Sequence, residues 1–462
     1  MTGRRAAAIA AVVALALVGI ALLGQPLGHD EAVYALGGKL LLGGDASPYP
    51  LHRPIAMQLV AVPGVLGGEL GFRLTAIALT GAFVAAAWAL ARRAFDRGVA
   101  AWTVAIVVTS YEVVRRGTEL LPDMPSGACV LGFTAVLIGG LRPGADPARR
   151  WRLAWAGPLA VAAFYLRYGA LGTLGAIAIA AAIVWRHQLR ANLGPLALAV
   201  GLTAAGLAPH VLQSLDATGD PLGMLSEASR LAGRAYTGEG LVFYAGRWWT
   251  WLGPAAAVAV AAGIVAAVTA RRRGDDVSAV FGLASAIAFV GLGLEAHGEA
   301  RFVLVPEVLL VSAGASWFSA RATAGRMRGT IAWVGIRASL AIALAGTVWS
   351  TMAASETFAA AVDAGAVVRR AAASVPCQVW SGQWAQVEWY SGCRGEPIPE
   401  TFGPGSARSA AFLVWFDRGR RQDPAVLDAV TRDASEPHAV KVGGAYNEGA
   451  WGSAAVYRLT PR

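Results

Sequence analysis

Six short arginine runs separate long apolar segments in this chain, and they constrain its fold more than any other feature. Arg4-Arg5, Arg92-Arg93-Arg97, Arg149-Arg150-Arg152, Arg186/Arg190, Arg271-Arg272-Arg273 and Arg321/Arg326/Arg328 recur as one apolar stretch gives way to the next. Crossing the hydrocarbon core takes about 20 apolar residues, and cytoplasmic loops carry the excess of Lys and Arg. Segments near 6–24, 71–91, 99–114, 122–141, 153–168, 170–186, 195–213, 251–270, 278–294, 302–318 and 333–352 meet or approach that length. They predict about eleven membrane-crossing helices. In this layout all six runs fall on one side. The N-terminus is then expected in the cytoplasm, and Asp30, Asp123 and everything beyond about 353 outside.

Composition agrees. The chain is 56% hydrophobic and 15% charged, where soluble domains carry about 25% charged residues. The net charge of +10 resides in the orienting runs, so it is read as a solvated face and not as a nucleic-acid surface. The apolar run after Met1–Arg5 exceeds a usual h-region and no small-x-small site follows it, so it reads as a retained signal anchor in the plasma membrane. No internal repeats are evident, unlike many transporters.

Three regions depart from simple spans. The first outer loop, 25–70, holds Asp30-Glu31, an amphipathic stretch from Ala32 to Leu42, and an apolar piece from Pro54 to Leu66 whose Pro63 and glycines suit an interfacial or re-entrant segment. The connection 214–250 ends in Trp248, Trp249 and Trp251, an interfacial aromatic anchor by composition. From about 370 the chain reads as soluble. Strands are expected over 378–380, 386–390, 410–416 and 453–459, and a helix over 423–431. The expected architecture is an all-α polytopic membrane bundle over 1–355 and a small extracytoplasmic α/β domain over 356–462. Cys377 and Cys393 have a spacing that suits a disulfide in an oxidising compartment; two separate thiols is the other reading.

The chemistry concentrates on the outer side. Asp30 and Glu31 lie in the first loop, Glu119 and Asp123 in the second, with Arg53, Arg73, Arg116, Arg167 and Arg301 among the cations of that side. Glycosyl transfer from a lipid-phosphate donor needs this combination. A carboxylate deprotonates or orients the acceptor hydroxyl, and cations hold the donor phosphate and stabilise the charge left on it. Structural readings stand beside these roles. Asp30 suits an N-cap for a helix starting near Ala32, and Asp123, between Pro122 and Pro125, suits the start of the fourth helix. His297, Glu299 and Arg301 suit a solvated turn with a local salt bridge.

The order His29-Asp30-Glu31-x-x-Tyr34, His52-Arg53-Pro54, Gly71-Phe72-Arg73-Leu74, Ala91-Arg92-Arg93-Ala94-Phe95 and Asp123 resembles the type C glycosyltransferases. The branch is that of protein O-mannosyltransferases and bacterial lipid A aminoarabinose transferases. The resemblance covers about residues 25–190 and continues more loosely through His297 to Phe302. It implies an inverting transfer from a polyprenyl-phosphate sugar to a glycan, lipid or protein acceptor at an extracytoplasmic site. Asp30 matches the catalytic base, with Glu31 positioning the base or the acceptor, and Asp123 matches the second acidic residue, with Arg116 nearby. Arg116, Arg167 and Arg301 are candidates for the donor phosphate. Tyr34, His52, Arg53, Glu119, His297 and Glu299 are further site candidates. Arg53 stands where the family often has proline, and Arg167 where it has lysine. A divalent cation on the acidic residues is a lesser alternative. The competing classes are a transporter or flippase of lipid-linked glycans and a membrane-anchored assembly protein.

Overall fold

A computed structural model describes residues 3–142, 147–231, 236–295, 297–321, 326–373, 375–400, 410–418, 422–432 and 438–460. The helices begin with α1 (Gly3–Ala21), α2 (His29–Leu41), α3 (Ala56–Ala94), α4 (Arg97–Val107), α5 (Tyr111–Arg116) and α6 (Asp123–Leu141). They continue as α7 (Ala156–Leu166), α8 (Ala170–Val184), α9 (Arg186–Ala191), α10 (Leu193–Thr218), α11 (Gly223–Leu231) and α12 (Glu239–Leu252). The last six are α13 (Pro254–Arg273), α14 (Asp276–Glu295), α15 (Leu304–Arg321), α16 (Arg326–Ala372), α17 (Trp384–Ser391) and α18 (Pro424–Arg432).

Among the described residues, eight helices are long and apolar enough to cross a membrane, as expected of a multi-pass membrane protein. The other three expected spans are shorter helices. Segment 99–114 divides into α4 and α5, while 153–168 and 170–186 become the short helices α7 and α8. The expected re-entrant piece forms the first part of α3, which breaks at Gly68. There the backbone turns to φ 64°, ψ −159°, a region open to glycine and closed to residues with a Cβ. The connection 214–250 is mostly helical, since α10 runs on to Thr218 and α11 and α12 follow.

The chain separates into two compact units. One contains Met1–Val18, Leu51–Ala56 and Ala76–Thr347. Its core gathers Phe83, Leu90, Leu131, Phe281, Leu309 and their apolar neighbours. Small residues bring α13 and α15 together. A Cβ on Gly263 would lie 2.1 Å from the Leu310 carbonyl oxygen, and one on Gly314 2.0 Å from that of Ala259. This is the close backbone approach that drives helix association where no hydrophobic effect operates. Trp251 corrects the reading of an interfacial anchor. It is buried, its ring stacks on Phe243 at 5.2 Å, and its indole N–H donates to the Glu307 carboxylate. An indole whose N–H has an internal acceptor gains nothing by staying at a wet boundary.

The second unit contains Gly19–Pro50, Met57–Thr75 and Val348–Arg462, so most of the first loop, though not Leu51–Ala56, belongs with the C-terminal domain. Its sheet comprises β1 (Cys377–Ser381), β2 (Arg394–Glu396), β3 (Ala410–Phe416), β4 (His438–Ala445) and β5 (Ala454–Thr460), in the order β2-β1-β3-β5-β4. β1 runs parallel to β2 and β3, while β5 is antiparallel to β3 and β4. Two expectations change here. Residues 386–390 lie in α17, not in a strand. Ala385 to Glu388 and Ser391 are buried there, and Gly392 closes the helix at φ 77°, so tertiary packing overrides the β-propensity of Val, Trp and Tyr. β4 was not anticipated, although Ala439 to Val442 alternates small or apolar residues with Lys441. The expected Cys377–Cys393 disulfide is formed, with Cα atoms 4.8 Å apart. The stretch read as amphipathic forms α2, but Glu31 to Gly38 are all buried.

Candidate active site

In the first unit a small, partly open cleft is lined by Asp123, Ser126, Arg167, Thr173, Arg301 and Phe302, among others. Three expected site residues, Asp123, Arg167 and Arg301, therefore share one opening. Local sequence explains their placement. Pro122 precedes α6 and Asp123 sits in its first turn, where the partial positive charge of the helix end favours an acid. α7 stops at Arg167, whose backbone is extended (φ −159°, ψ 116°), and α8 resumes at Ala170. Arg167 emerges from this break and forms an ion pair with the buried Asp123.

Phe302 organises the cations. The Arg167 guanidinium carbon lies 4.4 Å from its ring centroid and that of Arg301 5.6 Å, so two positive groups share one aromatic ring. The His297 ring meets Phe302 edge-on at 5.7 Å. Arg301 also forms an ion pair with Glu299, to which His297 Nε2 is joined at 2.9 Å. Burial pushes the Glu299 carboxyl up, but the bond from His297 and the Arg301 guanidinium outweigh it and hold it at about 2.

Arg116 and Glu119 form a neighbouring pair. Arg116 binds Glu112 at 3.0 Å and also Glu119, while Arg115 binds Glu112 at 2.9 Å. Burial pushes the Glu119 carboxyl up, yet Arg116 and Arg115, with a smaller contribution from Arg301, hold it below the ordinary carboxylate range. Ahead of α3, His52 and Arg53 are half-buried, and the Tyr168 hydroxyl donates to the Arg53 carbonyl at 3.2 Å.

The second unit holds the first-loop residues. Asp30 is half-buried in the first turn of α2. Glu31 is 3% exposed and makes structural contacts. It accepts the Gly28 N–H at 2.9 Å, half of a capping box, and it accepts Arg73 Nη1 at 2.6 Å and Nη2 at 3.2 Å. Arg73, 1% exposed, also donates to the Gln25 and Pro26 carbonyls at 3.1 Å. Tyr34 is buried one turn further along. The sequence placed Arg73 among the outer cations but did not pair it with Glu31, and it gave Phe302 no role beyond standing next to Arg301.

Solved structures match this chain along most of its length. ArnT from Cupriavidus metallidurans bound to undecaprenyl phosphate aligns with a TM-score of 0.70 at 16% identity, covering 98% of this chain and 97% of that chain. The Archaeoglobus fulgidus oligosaccharyltransferase in complex with Zn and sulfate aligns with a TM-score of 0.53 at 12% identity, covering 85% and 62%. AglB from Archaeoglobus fulgidus, in complex with an inhibitory peptide and a dolichol-phosphate, aligns with a TM-score of 0.53 at 12% identity, covering 85% and 64%. No protein-family model matches the chain, and no curated protein does. The chain has the fold of the type C membrane glycosyltransferases.

Proposed function

We propose that this protein is an integral membrane glycosyltransferase that moves a sugar from a polyprenyl-phosphate donor to an extracytoplasmic acceptor with inversion. The observation that carries the reading is the Asp123–Arg167–Arg301 cleft on a fold shared nearly end to end with an ArnT bound to undecaprenyl phosphate. The arginine runs support a cytoplasmic N-terminus, with this cleft and the C-terminal domain on the opposite side.

Asp30 takes the proton of the acceptor hydroxyl as that oxygen attacks the anomeric carbon. The bond from the anomeric carbon to the phosphate oxygen breaks, and its electron pair leaves with the polyprenyl phosphate. Arg167 and Arg301 answer the charge that develops there. Asp123 holds Arg167 in place and serves the acceptor side. Glu31 positions Asp30 by fixing the start of α2. Among the described residues, no three His, Cys, Asp or Glu side chains come together to hold a metal ion, and the cleft carboxylates already face guanidinium groups. Asp123 is already engaged by Arg167, so the transfer is assigned to the side chains named above.

The test uses membranes carrying the full chain and supplied in parallel with undecaprenyl-phosphate-linked mannose, arabinofuranose and aminoarabinose. One labelled sugar is expected to reach an acceptor, with undecaprenyl phosphate released. Asp30→Asn is expected to lower that rate by roughly 100-fold or more at an unchanged melting temperature. Near-normal transfer by Asp30→Asn would sink the assignment of the base. Passage of a lipid-linked glycan across vesicles with no transfer product would replace the enzyme with a transporter.

A further inference from the structure

The stretch from Leu22 to Gly28, just ahead of Asp30, belongs to neither a helix nor a strand. Buried backbone polar groups in such a stretch must find partners outside regular structure. Here α17 supplies them. The Leu27 N–H donates to the Tyr390 hydroxyl at 2.8 Å, and that hydroxyl donates to Glu69 at 2.6 Å. Gln386 Nε2 donates to the Leu27 carbonyl at 2.7 Å. Both backbone groups of a fully buried residue thus end on two side chains four positions apart, on one face of α17.

Other contacts hold α17 itself against the same loop. The Glu388 carboxylate accepts the N–H of Ser47 at 2.8 Å and of Gly395 at 2.9 Å. The Ser47 hydroxyl donates to the Gly395 carbonyl at 2.7 Å. Trp384 meets His29, the residue before Asp30, edge-on at 6.1 Å, and Trp389 meets Phe72 at 5.7 Å. Apolar contact alone would bury this loop. Hydrogen bonds to both backbone groups of a single residue do more, because they fix the direction of the chain through it.

We propose that Gln386 and Tyr390 are positioning residues for the transfer reaction, setting the place of the Asp30 carboxylate by fixing both backbone groups of Leu27. The proposal rests on the reading of Asp30 as the base. A reacting group displaced by about 1 Å loses on the order of 100-fold in rate, so a soluble domain that grips the base-bearing loop governs turnover without touching substrate.

The experiment is a double-mutant cycle on the full-length protein, using whichever of the three undecaprenyl-phosphate sugars is transferred. Tyr390→Phe removes the hydroxyl and keeps the ring; Gln386→Leu is the second probe. Each is expected to lower kcat about tenfold per folded molecule, to leave KM for the donor within about twofold, and to shift the acidic limb of the pH–rate profile. In the Asp30→Asn background the same changes are expected to cost less than about twofold, because the group they position is gone. A tenfold loss that persists in that background overturns the proposal, and so does unchanged kcat in both variants. Normal transfer by Asp30→Asn itself removes the base and the proposal together. A slow Asp30→Asn combined with neutral or additive Tyr390→Phe and Gln386→Leu leaves the base standing and removes only the positioning role.

Discussion

Arg73 and Glu31 form an ion pair at 2.6 Å in which neither side chain is more than 4% exposed. Removing one partner from such a pair leaves a charge in a low-dielectric site, which costs about 3–5 kcal/mol. Arg73→Ala also strips donors from the Gln25 and Pro26 carbonyls. Its unfolding midpoint in detergent is expected to fall accordingly. The double variant Glu31→Ala/Arg73→Ala is expected to lose less than the sum of the two single variants. An unchanged midpoint for Arg73→Ala would show that the pair does not hold the start of α2.

Phe302 carries two guanidinium groups on its ring, and Phe302→Leu keeps the apolar bulk while removing the π face. At about 1–2 kcal/mol for the two contacts together, the KM for a polyprenyl-phosphate donor is expected to rise roughly 5- to 30-fold. The melting temperature is expected to stay nearly constant. Steady-state kinetics on the two proteins decides this, and an unaltered KM rejects the role.

The Glu299 carboxyl, held at about 2 in the folded protein, returns to near 4.5 when the chain unfolds. Between those values the unfolded chain binds more protons, so stability rises with pH there. The contribution is complete above about 4.5 and is lost as pH falls toward 2. Melting curves between pH 5 and pH 2.5 are expected to fall less steeply for Glu299→Gln than for the natural chain. Parallel slopes would assign the acid sensitivity to other groups.

The Cys377–Cys393 bridge spans 16 positions and encloses α17. A loop of that size implies roughly 3 kcal/mol of stabilisation from the cross-link. Cys377→Ser/Cys393→Ser is expected to lower the unfolding free energy of the C-terminal domain by about that amount, measured by denaturant titration monitored at its tryptophans. Equal midpoints in the two proteins would mean the domain is held by its packing alone.

The multi-pass helical architecture was legible because its signal, apolar length, is local and repeats many times. Asp123, Arg167 and Arg301 were legible one at a time as polar residues at the ends of apolar segments. Their convergence was not, since three helices must close before residues 123, 167 and 301 meet. The pairing of Glu31 with Arg73 was hidden for the same reason, 42 positions of chain separating them. α17 departs from the expected strand: Val387, Trp389 and Tyr390 carry strand propensity, while the burial of Ala385 to Glu388 and the polar contacts of Gln386, Glu388 and Tyr390 are tertiary and favour the helix. α16 runs on through Ala372, well past the expected span near 333–352, because the apolar signal fades near Ser355 while helix-forming alanines carry on.

The pairing of Arg167 with Asp123 and of Arg301 with Glu299 gives the cleft its own resident counter-anions. A phosphate entering it competes with carboxylates already in place, so binding becomes an exchange of one anion for another. The net gain is the difference between two ion pairs and is far smaller than either alone. If the cleft takes the donor phosphate as proposed, the returning carboxylates would assist release of the spent lipid phosphate.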